Sequence, residues 1–143
     1  MDKLNELISK LDNFDIWEVA KPVFEDLAPK LIELNKSQLM EGKKSDGTNT
    51  PTYSQKYQAY KMTFSNYTSA PYANLNKTGD FFSGMYMKVV DEGLEFGSTD
   101  EKESDLESYA TKLIWGISEQ GFTEIKPKAR QNLEVELKKY FNI

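Results

Sequence analysis

The sequence contains no cysteine and no histidine. Disulfides, thiolate nucleophiles, Cys/His zinc sites and a histidine general base near neutral pH are thereby excluded. Any catalysis would rest on carboxylates, lysines, tyrosines and hydroxyls, as in a hydrolase built on paired carboxylates. No apolar run approaches the ~20 residues that a membrane helix needs. Residues 1–11 carry Asp2 and Glu6 inside their apolar pattern, so no signal peptide is expected, and with no disulfide framework the expected site is intracellular. Positive charge is also short. The net charge is −5 and the pI about 4.9, which argues against broad attraction to nucleic-acid phosphates. Neither GxxxxGK[ST] nor GxGxxG occurs, which leaves nucleotide binding without support.

What is present fits one domain. At 143 residues a chain buries about two-thirds of the surface that it exposes when unfolded. Leu4, Leu7, Ile8 and Leu11 share one helical face, and Ile16, Trp17, Ala20, Phe24, Leu27, Leu31 and Leu34 continue at i+3 and i+4 steps. Asp12, Asn13 and Asp15 offer caps between the two stretches, and Pro22 or Pro29 should break or kink the second. Residues 41–52, EGKKSDGTNTPT, hold no apolar side chain and read as a mobile loop. Tyr53, Tyr57 and Tyr60 have helical spacing, followed by irregular chain through 65–73. Thr78 or Asp80 could cap a short helix presenting Phe81, Phe82 and Met85.

The clearest strand signal flanks residues 91–93. Tyr86–Val90 and Leu94–Ser98 alternate on either side of a loop with glycine, which predicts a hairpin with Met87, Val89, Leu94 and Phe96 inward. The acidic stretch 98–107 reads as a solvated loop leading into a short helix near Leu106–Ile114. A last helix is expected after Gly121, with Pro127 near its first turn. The fold class is therefore α+β: a small antiparallel sheet around the hairpin at about 86–98, packed against N- and C-terminal amphipathic helices. The expected organisation is a single domain over 1–143, with N-terminal helices at 3–36, a polar loop at 41–52 and an α+β body at 53–143.

Asp100, Glu101, Glu103, Asp105 and Glu107 lack the EF-hand spacing, so solvated carboxylates outweigh a cation site. Tyrosines beside Lys56 and Lys61 could stack bases, but the chain's acidity favours tyrosines that pack under a loop or line a subunit interface. No catalytic, cofactor-binding or metal-ligating residue is expected.

The segments LNKTGDFFSGM at 75–85, EFGSTDEK at 95–102, YATKLIWGIS at 109–118 and IKPKARQNLEVELKKYF at 125–141 stand in a distinctive order. In that order the chain resembles the virion-morphogenesis and tail-completion proteins of tailed bacteriophages. The matching positions are Leu75, Thr78 and Gly79; Phe96, Gly97 and Ser98; Tyr109, Ala110 and Gly116; and Pro127, Ala129 and Arg130. The upstream TYSQKYQAYK is similar to the element that precedes the Thr-Gly motif. Trp115 and the segment 127–130 depart from the family's usual pattern.

The resemblance implies a structural virion protein and not an enzyme: a head-to-tail connector or tail-completion subunit in the neck or upper tail. It implies a homo-oligomeric ring of six or twelve copies by analogy, portal or adaptor and tail proteins as partners, and DNA only passing through a lumen. No specific nucleic-acid binding and no membrane partner are expected. The alternative is a monomeric protein-binding regulatory module using the tyrosine-rich segment. Expected partner contacts are Lys43, Lys44, Asp46, Tyr53, Tyr57 and Tyr60, with Asp100, Glu101, Glu103 and Asp105 facing the lumen or a basic neighbour.

Overall fold

In the computed structural model, residues 2–63, 67, 69–76, 79–91, 93–101 and 103–143 are described. Helix α1 spans Asp2–Asp12 and α2 spans Ile16–Asp26, where the Asp15 carboxylate caps α2 by accepting from the Trp17 N–H at 2.9 Å. Helix α3 spans Ala28–Met40. The break between α2 and α3 falls at Leu27, with Pro29 in the first turn of α3, where its missing N–H costs nothing. Pro22 stays inside α2, on the solvent side.

Helix α4, Gln55–Lys61, begins at Ser54, whose hydroxyl accepts from the Tyr57 N–H at 3.2 Å. Helix α5 is one turn, Asp80–Ser83, and holds Phe81 and Phe82 in the core. It starts from Gly79 in the left-handed region and has no side-chain cap, so the expected Asp80 cap is corrected, while Thr78 lies outside the described residues. Met85 belongs to the following strand and not to that helix.

The hairpin is present as expected. Strands β1 (Met85–Val90) and β2 (Gly93–Ser98) pair antiparallel, with Met87 opposite Phe96 and Val89 opposite Leu94, the inward pairs that alternation requires. Gly97 stands opposite Tyr86, and a Cβ there would come within 2.5 Å of the Tyr86 hydroxyl, so the ring lies over a bare backbone.

Two expectations about helix boundaries are corrected. The acidic stretch is partly helical: α6 spans Glu103–Ala110, with Glu103 and Asp105 in its first turn, where acidic side chains favour the positive end of the helix dipole. A 3₁₀ turn, Lys112–Ile114, follows after Thr111. The last helix, α7, spans Glu119–Phe141 and so takes in Gly121, after which it was expected to begin, and leaves Pro127 well beyond its first turn. Ser118 caps it by accepting from the Gly121 N–H at 3.3 Å, and Pro127 lies in its interior on the exposed side.

Two apolar clusters hold the chain together. In one, Val23, Leu27, Leu31, Leu34 and Ile125 pack on Met87, with Val89, Leu94 and Phe96 beside them, so α2, α3 and α7 cover one face of the hairpin. The other joins Leu39, Ala73, Leu75, Phe81, Phe82, Met85, Ala110 and Ile114. The fold is thus the α+β arrangement expected. Helix α1 is the exception to the expectation that the N-terminal helices cover the hairpin. Phe14 stacks on Tyr140 and Phe141, beyond Leu133, where α7 has passed the hairpin cluster, and no residue of α1 is buried.

Candidate functional site

The second cluster forms the floor of a cleft of about 490 Å³, walled by Tyr53, Ser54, Tyr57, Leu75, Phe81, Asp100, Leu106 and Tyr109. Tyr57 and Tyr60 follow one another along α4 at 5.8 Å, and Tyr53, just before the Ser54 cap, meets Tyr57 edge to face at 4.7 Å. Tyr67 closes on Tyr53 from behind at 5.6 Å. The Tyr109 hydroxyl donates to the Thr52 carbonyl at 3.2 Å and ties α6 to the opposite wall.

Lys61 ends α4 pointing inward and is 1% exposed. A buried ammonium needs dense compensation. Its Nζ donates to Asn74 Oδ1 at 3.1 Å and to the Asn76 carbonyl, and lies 5.9 Å and 5.7 Å from the ring centres of Tyr53 and Tyr67. This lysine therefore braces the aromatic wall and does not face a nucleic acid.

Burial dominates the acidity of the phenols. It pushes Tyr53 up to about 12, with Tyr57 adding to the shift, and raises Tyr67 and Tyr109 as well. The phenols stay protonated at neutral pH; Tyr109 uses its proton as a donor to the Thr52 carbonyl, and the three rings supply apolar surface.

The expected contact residues fall into two places. Tyr53, Tyr57 and Asp100 meet in the cleft, although Tyr57 and Asp100 are 43 positions apart in the sequence, and Tyr60 adjoins them. Glu101 lies in the turn before α6, Glu103 is half-buried in its first turn and Asp105 is exposed on the same helix. Lys43 and Asp46 line a separate hollow of about 510 Å³, together with Gln38 and Glu119, and Lys44 is half-buried in the loop beside it.

That loop is stitched down, contrary to the mobility expected of it. The Lys44 N–H donates to Thr48 O at 2.8 Å and the Ser45 N–H to Leu113 O at 2.7 Å. Buried Thr50 donates through its hydroxyl to the Ala73 carbonyl at 2.5 Å. Asp46 accepts from the Thr48 N–H and hydroxyl, and these bonds hold its carboxyl below the usual range. At Gly42, with φ of 73°, a Cβ would come within 2.8 Å of the Tyr72 Cβ. Backbone bonds supply what apolar side chains do not.

Sequence reasoning missed Asn35 and Gln38. They sit on the buried side of α3 and clamp the backbone at 114–118. Asn35 donates to Ile114 O at 2.8 Å and accepts from the Gly116 N–H at 3.3 Å; Gln38 donates to Gly116 O at 3.2 Å and accepts from the Ser118 N–H at 2.7 Å. Their signal was their position: with Leu31 as i, they occupy i+4 and i+7 of an otherwise apolar stripe.

Among the described residues, no group of three or more carboxylates converges as a metal site, and no helix is long and apolar enough to cross a membrane. No known family model matches the chain, and no curated protein or solved structure matches it significantly.

Proposed function

We propose that this chain is a structural virion protein of a tailed bacteriophage, a head-to-tail connector or tail-completion subunit without catalytic activity. The observation that carries the reading is the behaviour of the segments behind the family resemblance. Leu75 and Phe81 from the first, Ala110 and Ile114 from the third pack in one cluster, and Ser98 from the second donates to the Phe81 carbonyl at 2.8 Å. These residues are scaffold, which is what an assembly protein without a reaction needs to keep. The subunits form a ring, of six or twelve copies by analogy, joined to portal or adaptor proteins on one side and tail proteins on the other. The acidic net charge suits a conduit, because a negative wall repels passing DNA. Mass spectrometry of purified virions is the test: the chain should be found in the particle, and its absence rejects the reading.

The second reading, a monomeric protein-binding module, draws on the cleft. Tyr53, Tyr57 and Tyr109 combine apolar rings with hydroxyls, the chemistry enriched at protein interfaces. A Tyr57→Ala variant that loses a bound host protein, in a chain missing from particles, would favour it.

A further inference from the structure

Two apolar surfaces are left uncovered by the described residues. One is the stripe of α1, where Leu4, Ile8 and Leu11 are 57%, 47% and 61% exposed. Eleven residues of helix extend about 16 Å. The other is a groove of about 470 Å³ between α2, α7 and β2, lined by side chains such as Phe24, Leu94 and Phe122, the last 53% exposed. The charged residues that line this groove have one sign. They are Lys126 and Arg130, one turn apart on α7, and neither forms an ion pair among the described residues. On α1, Asp12 borders the apolar stripe about a quarter-turn from its centre and Lys3 borders it about a quarter-turn away on the opposite side, and both are outside every ion pair among the described residues.

We propose that α1 of one copy lies in the α2–α7–β2 groove of the next copy, a donor-to-acceptor contact between subunits. Shape agrees, and charge selects the orientation: the amphipathic helix carries Asp12 on one border of its stripe and Lys3 on the other, so the Asp12 border lies against Lys126 and Arg130 and the Lys3 border faces away from them. The helix does not fill its own groove because its base is pinned elsewhere. Phe14 stacks at 5.5 Å and 5.3 Å on Tyr140 and Phe141, and the Tyr140 hydroxyl donates to the Lys10 carbonyl at 3.3 Å. The groove runs along the other half of α7, and the 15 residues from Ile125 to Tyr140 span about 22 Å of helix. Filling its own groove would break those base interactions, whereas filling a neighbour's keeps them.

Because donor and acceptor are different surfaces, the contact is heterologous, and repeating it closes a ring or extends a chain. A short helix in a groove sits at the small end of specific interfaces, roughly below 1,200 Å². One such contact is weak, and ring closure strengthens it by making the last contact intramolecular. The proposal rests on the ring reading above for closure, while the pairing itself can be tested without virions.

Sedimentation of the full chain with Ile8→Glu and with Phe122→Glu makes the test. Both positions are about half exposed, so circular dichroism should stay native. The wild type should assemble with rising concentration, and each variant alone should be monomeric. A one-to-one mixture of the variants should stop at a dimer, since it holds one intact helix and one intact groove. The absence of native cysteine permits a second measurement if Phe122→Glu does not fold. Oxidised Ile8→Cys/Ala129→Cys should give a covalent ladder on a non-reducing gel, and a cross-link confined to single chains overturns the proposal by placing α1 in its own groove. A wild type that remains monomeric up to roughly 1 mM, or an Ile8→Glu variant that assembles like it, also overturns the pairing. A monomeric chain that is nevertheless present in virions would remove the pairing alone, and an assembling chain absent from virions would remove the virion reading alone.

Discussion

The cleft and the groove have nearly the same volume, about 490 Å³ and 470 Å³, and opposite construction. The cleft is held by directional bonds: Lys61 on Asn74, Tyr109 on Thr52, Ser98 on Phe81. The groove is lined by apolar area, from Phe24, Leu94, Ile117 and Leu133 lying half-buried around Val23 and Ile125, with the directional contacts of α2 to the hairpin, Trp17 to the Val90 carbonyl and Lys21 to Asp91, near the turn. Directional bonds fix a surface before any partner arrives, because each unmade bond in a buried place is costly. Apolar walls tolerate an occupant of approximate shape, since burial is non-directional. The cleft is therefore the more rigid of the two and the groove the one suited to receive another helix.

The largest effect that separates them comes from core truncation. Leu39 is fully buried in the cluster under the cleft, so Leu39→Ala should cost about 2–5 kcal/mol in urea unfolding. Leu133 borders the open groove, and Leu133→Ala in the monomer should cost under about 2 kcal/mol, because a half-exposed side chain loses less transfer energy and leaves no sealed cavity. Equal costs would mean that the groove is already closed.

Next in size is the backbone clamp. Asn35→Ala strands the Ile114 carbonyl and the Gly116 N–H together at a fully buried side chain, and should cost about 2–3 kcal/mol. Asn35→Asp keeps an acceptor for the Gly116 N–H but sets a carboxylate against the Ile114 carbonyl at a fully buried position, so it should cost at least as much as Asn35→Ala. If Asn35→Ala unfolds at the wild-type midpoint, the clamp does not contribute to stability.

A third effect is pH-dependent and belongs to the cleft. The Tyr53 phenol is raised in the folded state to about 12 from an ordinary value of 10.0, so the unfolded chain loses its proton first on going alkaline. Its contribution is fully present below pH 10 and is lost as pH rises toward 12. Denaturant midpoints should fall across that window, and Tyr53→Phe should flatten part of the fall. Tyrosinate absorbance that develops near pH 10 for every tyrosine would contradict the burial of Tyr53.

The sequence made some of this legible through periodicity. Leu4, Leu7, Ile8 and Leu11 defined α1, and the alternation around Gly93 defined the hairpin with its correct inward pairs. Boundaries were less legible where a rule was applied in isolation. Gly121 and Pro127 read as a breaker and a start, but the Ser118 cap initiates α7 upstream of both, and packing of Ile125, Ala129 and Leu133 on the hairpin cluster carries the helix through the proline. Acidity made 103–107 look like loop, though carboxylates in a first turn are equally a helix signal. Periodicity also reports that a face is apolar without reporting what covers it, which is why α1 was expected to pack on the hairpin with the other N-terminal helices. The meeting of Tyr57 with Asp100 depends on how α4 and α6 come together, information that no local pattern carries.

The smallest expected effect tests whether every polar atom around the cleft is needed. Tyr67 is 9% exposed, and its hydroxyl finds no hydrogen-bond partner among the described residues, unlike the hydroxyl of Tyr109. A buried hydroxyl without a partner carries a desolvation cost with no bond to offset it, while the ring still packs on Tyr53 at 5.6 Å and still faces the Lys61 ammonium at 5.7 Å. Tyr67→Phe keeps the ring and removes the cost, so its stability should be unchanged or higher by up to about 1 kcal/mol in urea unfolding. Tyr109→Phe removes a made bond at a more exposed site and should lower stability by a similar or smaller amount. A clear loss of stability in Tyr67→Phe would mean that the hydroxyl has an acceptor, and the cleft's directional network would then extend behind Tyr53 to include it.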